Sequence, residues 1–184
     1  MRKIFSFMMV SVDGYFEGKN HELDWHIVDA EFNVFAREQL VSVDTLLFGS
    51  RTYELMARYW PTERAQADDP AIVHLMNSTS KIVFSRESIR ADWSNTRLIT
   101  EHAIDELAKM KIQPGGNMCV LGSSNLCVSL MQANLIDEWR VMINPVLLGR
   151  GNTVYDGITD RLRLKHTGTK IFKSGNVLLY YCQT

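Results

Sequence analysis

With 184 residues, a formal net charge of −1 at pH 7, and 46% hydrophobic against 22% charged residues, the chain falls in the range of one globular domain with a self-sufficient core. That near-neutral balance removes any general electrostatic case for nucleic acid or an anionic membrane, so affinity for phosphate has to be built locally. No run approaches the ~18 apolar residues of a membrane span, and the short apolar stretch after Met1-Arg2-Lys3 is broken by Ser6, Ser11 and Asp13, unlike a signal peptide.

Ile4 to Val12 is a continuous β-prone apolar run closed by Asp13-Gly14, the pattern of a buried strand. Gly14 to Trp25 is rich in turn residues and reads as a loop. From Asp29, apolar residues recur at Phe32, Phe35, Ala36 and Leu40, a helical stripe with an acidic start. Thr45 to Phe48 is a second strand, and a helix over Arg51 to Tyr59 is stopped by Pro61. Arg64 to Pro70 is polar and predicts a surface loop, followed by a short helix over Ala71 to Met76.

Strands follow at Lys81–Phe84 and Arg97–Thr100, then a helix at Ala103–Met110 and a Pro114-Gly115-Gly116 turn. Met118 to Leu121 is a fifth strand, after which Gly122-Ser123-Ser124-Asn125 opens a helix through Met131. Glu138 to Leu148 is strand-like, and Arg161–Phe172 with Val177–Cys182 predicts a closing hairpin. Alternation of strands with helices argues an α/β domain with a largely parallel sheet and an antiparallel edge. Residues 1–184 show no repeat or linker, so one domain is expected.

Two strand-to-helix junctions carry chemistry. At Leu46 to Tyr53 an apolar strand ends at Gly49, and the following helix opens with Ser50, Arg51 and Thr52. Unpaired N–H groups and the positive dipole end of a helix attract phosphate, and an arginine adds a planar fork. The segment Val120 to Leu126 repeats the arrangement through Gly122, Ser123, Ser124 and Asn125, small residues that let backbone approach a ligand. A third strand end offers Ser85 and Arg86, suited to an adenosine 2′-phosphate. The same residue types are ordinary helix caps. No G-x-G-x-x-G occurs, so a Rossmann domain is not indicated.

Cys119, Cys127 and Cys182 have no C-x-x-C spacing, and Cys119 and Cys182 lie in apolar runs as small hydrophobes of a reduced, cytoplasmic protein. His21 and His26 are neighbours, whereas His74, His102 and His166 are scattered and form no metal set. A zinc deaminase signature, H-x-E with P-C-x-x-C, is absent.

Five blocks in order carry a family resemblance: Phe7–Gly18 (FMMVSVDGYFEG), Leu46–Met56 (LLFGSRTYELM), Lys81–Arg86 (KIVFSR), Val120–Leu126 (VLGSSNL) and above all Leu135–Gly151 (LIDEWRVMINPVLLGRG). The chain resembles the dihydrofolate-reductase-like superfamily, and more closely the C-terminal reductase domain of the bifunctional riboflavin-biosynthesis protein. The resemblance implies a three-layer α/β fold, with a mostly parallel central sheet, an antiparallel C-terminal hairpin and helices on both faces. It also implies NADPH as hydride donor and a homodimer.

Under that resemblance Gly49, Ser50, Arg51 and Thr52 match the pyrophosphate and 2′-phosphate contacts. Ser85 and Arg86 match the adenosine side, and Gly122 to Asn125 the glycine-rich phosphate turn. Position 123 departs, being serine where the family usually has a second glycine; its Cβ stands where backbone must run close to phosphate, and is tolerated there only with a negative φ. Met9, Val10 and Phe16 are expected beside the nicotinamide, under a closing segment Ser11–Gly18. An acidic residue at the start of the first long helix faces substrate in such reductases, which points to Asp29, then Asp24, as proton donor; the same Asp29 also suits a helix cap. Phe32, Asn33 and Tyr53 are the expected pocket for a heterocycle. A substrate of the 5-amino-6-(5-phosphoribosylamino)uracil or pteridine and dihydrofolate type follows. A dinucleotide-binding module, or an oligomeric scaffold of the same fold with little catalysis, would use the same framework.

Overall fold

Alternation along the first strand sets the layering. In a computed structural model that describes residues 1–184, strand β1 (Ile4–Ser11) sends Ile4, Met8 and Val10 into one buried cluster and Phe5 and Phe7 into another, as the two-residue period of a strand requires. The ribbon strand β2 (Tyr15–Gly18), helix α1 (Ala30–Val41), strand β3 (Val43–Gly49) and helices α2 (Ser50–Tyr59), α3 (Glu63–Asp68) and α4 (Pro70–Ser78) follow. The chain continues through β4 (Ser80–Phe84), β5 (Thr96–Ile99), α5 (Ala103–Ile112), β6 (Asn117–Leu121), α6 (Ser124–Gln132) and β7 (Glu138–Asn144). It closes with β8 (Gly151–Thr153), β9 (Leu164–Ile171) and β10 (Val177–Gln183).

Eight strands form one sheet in the order β5-β4-β3-β6-β1-β7-β10-β9. It is parallel from β5 to β7, while β10 runs antiparallel to both β7 and β9. Crossovers from β1 to β3 and from β3 to β4 run one way across the sheet; those from β5 to β6 and from β6 to β7 run the other. Right-handed crossovers therefore send helices to opposite faces. Phe35, Tyr53 and Ile72, from α1, α2 and α4, join the Phe5 cluster, whereas Leu107 and Leu130, from α5 and α6, join the Ile4 cluster. This is the three-layer α/β fold that the resemblance implies.

Four elements differ from the linear pattern. β2 and β8 pair as a separate antiparallel ribbon, where the sequence reads as loops. Its strands have four and three residues, too short to register as alternation. The polar segment after Pro61 forms α3 instead of a loop, because the Thr62 side chain accepts from Ala65 N at 3.2 Å and Ala65 is buried beneath it. β7 stops at Asn144, before Pro145, a residue with no N–H for a ladder.

Two of the blocks that carry the resemblance turn out to be joints of the scaffold. In the LIDE block, Asp137 accepts from Ile4 N and from the nearly buried Lys111 ammonium, each at 2.8 Å, fixing β7 beside β1. Asp13 accepts from Ser11 Oγ at 2.6 Å, Leu148 N at 3.1 Å and Gly149 N at 2.7 Å, locking the SVDG and PVLLGRG segments together. Those donors, the Ser11 hydroxyl first, hold the Asp13 carboxyl below its ordinary range.

Candidate functional site at the carboxyl ends of the parallel strands

The two strand-to-helix junctions meet. Gly49, which precedes α2, donates its N–H to Ser123 Oγ at 2.8 Å, and Ser123 precedes α6. Gly122 lies against the first turn of α2: a Cβ there would stand 3.3 Å from Thr52 Cγ2. Neither helix has a side-chain cap, whereas α1, α3 and α4 are capped by Asp29, Thr62 and Asp69. Two helix N-termini with free amides thus lie side by side at the sheet edge where α/β proteins take ligands. Ser85 and Arg86 follow directly on Phe84, the register partner of Gly49, so the third junction adjoins the first. Ser85 Oγ accepts from Glu87 N at 3.2 Å, and Arg86 is exposed.

Ser123 does not take the negative φ that suits serine. It sits at φ 66°, ψ 73°, after Gly122 at φ 64°. The left-handed conformation costs a non-glycine residue roughly 1–2 kcal/mol, and here the hydroxyl's bond to Gly49 offsets part of it.

Arg51 is exposed on the first turn of α2, with Nη1 3.9 Å from Glu17 Oε1 on β2. Glu17 is 8% exposed, and the same oxygen meets His21 Nδ1 and Asn152 Nδ2, each at 2.7 Å. The ribbon of β2 and β8 is therefore fastened beside the phosphate-type junction. Sequence reasoning expects Ser11–Gly18 as a closing segment at the nicotinamide and misses Glu17, because its partners lie on three separate segments.

The residues expected around a substrate are only partly assembled. Met9 and Phe32 are half-buried and pack against one cluster, and Phe32 lies 6.5 Å from the Phe7 ring. Val10 and Phe16 belong to the opposite side of the sheet, since neighbours along a strand face apart. Asp29 is the N-cap of α1, its Oδ1 accepting from Phe32 N at 2.8 Å. Asn33, half-buried, sits one turn into α1 with its N–H on Asp29 O. Asp24 lies exposed in a turn. Tyr53 is removed from the pocket: it is 1% exposed, packs on Phe48 and Trp93, and its hydroxyl accepts from Trp93 N. The position that follows three exposed or half-buried residues of α2 turns inward with the helix.

A buried clamp escapes the linear pattern altogether. Asn144 and Asn176 are both fully buried at the β7–β10 end. Asn144 Oδ1 accepts from Ile27 N and Asn176 Nδ2 donates to Ile27 O, each at 3.0 Å. One residue, two before Asp29, is thus held by the peptide groups on both of its sides. Beside it His26 Nε2 is buried without a partner, and burial pulls its pKa down to about 4. An asparagine within an apolar run, as in Val141-Met142-Ile143-Asn144, is the one signal that points to such a clamp.

Two cavities lie away from this region. One of about 410 Å³ is lined by Thr45, Lys81 and Thr96 at the amino ends of β3, β4 and β5, and one of about 330 Å³ lies between α6 and residues 158–162. The buried thiols of Cys119 and Cys127 are pushed far up by burial, in keeping with inert core positions. No helix is long and apolar enough to cross a membrane.

The model of one family, the RibD C-terminal domain, matches residues 2–178. The chain belongs to that family. It is 32% identical over 180 residues to the uncharacterized protein YyaP of Bacillus subtilis, covering 98% of this chain and 94% of that one. Among solved structures, a putative riboflavin biosynthesis protein from Shewanella sp. PV-4 superposes with a TM-score of 0.74 at 20% identity, over 99% of each chain. Dihydrofolate reductase from Enterococcus faecalis, complexed with NADP(H), superposes with a TM-score of 0.67 at 16% identity, over 99% of this chain and 96% of that one. The fold is thus dihydrofolate-reductase-like, and the sequence branch is the riboflavin-type one that the five blocks resemble.

Proposed function

We propose that the protein is an NADPH-dependent reductase of a small heterocycle, of the 5-amino-6-(5-phosphoribosylamino)uracil type or a pteridine. The observation that carries this is the Gly49–Ser123 contact, which sets two uncapped helix N-termini together. Their amides and the exposed Arg51 and Arg86 form a donor set suited to the phosphates of a dinucleotide. Family membership supports reductase chemistry over a mere anion site.

Bound at these junctions, a nicotinamide cofactor would supply the hydride. Ser50 to Thr52 and Ser123 to Asn125 would hold its phosphates through backbone and hydroxyl donors. Gly49 and Gly122 give the close approach while their own N–H groups stay on Ser123 Oγ and Phe7 O. Ser85 with Arg86 would hold the adenosine end. Met9 and Phe32 present apolar surface to the rings and keep water from the transfer region. Asp29 holds the proton for the substrate; its Oδ1 is committed to Phe32 N, which leaves Oδ2 for that task. The working form is a homodimer in the cytoplasm.

A dinucleotide-binding protein with weak catalysis is the second reading, favoured by Ser123, whose hydroxyl occupies the Gly49 amide. Titration of the protein with NADPH and NADH separates them from the scaffold reading. Micromolar NADPH binding with much weaker NADH, followed by oxidation of NADPH with a reducible pyrimidine or dihydropteridine, is expected for the reductase. Binding without turnover on any heterocycle leaves the second reading, and no binding of either dinucleotide overturns both.

A further inference from the structure

Glu17 is a nearly buried carboxylate that the reductase reading does not use. It sits on the β2–β8 ribbon, outside the main sheet, and faces the first turn of α2. Its Oε1 accepts from Asn152 Nδ2 at 2.7 Å and meets His21 Nδ1 at 2.7 Å, while Arg51 Nη1 stands 3.9 Å away. Two short contacts anchor the carboxylate to β8 and to the turn that follows β2, and the long one leaves the guanidinium fork incompletely engaged. The Arg51 side chain is 66% exposed, against 10% for Glu17. The anchored partner is the acid and the movable partner is the base. β8 is pressed against β2 at this point: a Cβ on Gly151 would come within 2.2 Å of Glu17 O, so only glycine permits the approach.

We propose that Glu17 is a positioning residue that sets the anion affinity of the α2 junction by competing with phosphate for Arg51. This rests on the reading of that junction as a dinucleotide phosphate site. Without ligand, Arg51 leans to the Glu17 carboxylate and ties the ribbon to α2. When a phosphate takes the guanidinium, Glu17 keeps its contacts with Asn152 and His21, and the ribbon is freed from α2 without a buried charge being orphaned. Wild-type affinity is thereby held below what Arg51 and the free amides would give alone. The ribbon becomes an element that phosphate binding loosens from the helix.

The test is a double-mutant cycle on the full chain, with inorganic pyrophosphate and NADPH as probes. Glu17→Gln keeps the side-chain shape and an oxygen for Asn152 while removing the charge that competes for Arg51. It is expected to bind both probes about five- to tenfold more tightly at low salt, the gain shrinking as salt rises. Arg51→Gln weakens binding, and in that background Glu17→Gln changes affinity by less than about twofold. Glu17→Asp, which keeps the charge but draws it back from Arg51, gives an intermediate gain and serves if Glu17→Gln does not fold. A purely structural role for Glu17 would only weaken binding. Unchanged or weakened binding in Glu17→Gln, or an equal gain with and without Arg51, overturns the proposal. If the wild-type protein binds neither probe, the dinucleotide reading falls and this inference with it; wild-type binding with no gain in Glu17→Gln sinks this inference alone.

Discussion

Gly49 N–H donates to Ser123 Oγ, and that one 2.8 Å bond joins the starts of two helices 74 residues apart in the chain. It also explains why Ser123 holds a left-handed backbone, at φ 66°. Ser123→Gly removes the conformational cost together with the bond, terms of roughly 1 kcal/mol each. Its stability is expected within about 1 kcal/mol of wild type, by chemical denaturation, while the freed Gly49 amide tightens NADPH binding. Ser123→Ala keeps the strain and loses the bond, and is expected to be less stable by about 1–2 kcal/mol. Equal stability of the alanine and glycine variants would contradict this account.

Asp29 serves a cap, and in the proposed reaction a proton donor, and one pair of variants separates the two. Asn is as good an N-cap as Asp, so Asp29→Asn is expected to unfold within about 0.5 kcal/mol of wild type. Turnover should nonetheless fall by about 100-fold or more, with dinucleotide affinity unchanged. Asp29→Ala should lose roughly 1 kcal/mol of stability as well. Full turnover in Asp29→Asn would move the proton source elsewhere.

The clamp on Ile27 predicts a measurable cooperative term. Asn144→Ala leaves the Ile27 N–H without its partner and is expected to cost about 1–3 kcal/mol. Asn176→Ala should cost a similar amount through the carbonyl. Because both hold the backbone of one residue, Ile27, the double variant should cost less than the sum, a coupling of about 0.5 kcal/mol or more. Strict additivity would show that the two asparagines act independently.

His26 makes stability depend on pH. Its folded pKa of about 4 lies below the ordinary 6.5, because burial disfavours the charged ring. As pH falls from 6.5 towards 4, the unfolded chain takes up a proton that the folded chain refuses. Stability attributable to this group is therefore complete above 6.5 and drains away down to about 4, by up to about 3 kcal/mol. His26→Leu should flatten that part of the profile in urea unfolding between pH 7 and 4. An unchanged slope would place the acid sensitivity in other groups.

Tyr53 offers a check on the pocket's limits. Tyr53→Phe removes the hydroxyl that holds Trp93 N, with an expected loss of about 1 kcal/mol and no change in dinucleotide affinity. A large affinity loss in this variant would return Tyr53 to the site.

Strand and helix periodicity, Gly49 and Gly122 at strand ends, and the ordered blocks with LIDE and PVLLGRG are local features, and the α/β class and the family follow from them alone. Hydrophobic period and turn chemistry act between neighbours in the chain, so one sequence displays them directly. The tertiary structure decided the rest. It turned Tyr53 into core through the rotation of α2, gave Asp13 and Asp137 scaffold roles, and paired two ribbon strands too short to show a pattern. It also brought Glu17, Arg51 and Asn152 to one point, and fastened Ile27 between Asn144 and Asn176. The Glu17–Arg51, Glu17–Asn152, Ile27–Asn144 and Ile27–Asn176 contacts join residues from 34 to 149 positions apart, and such distances are closed only when the sheet order is set.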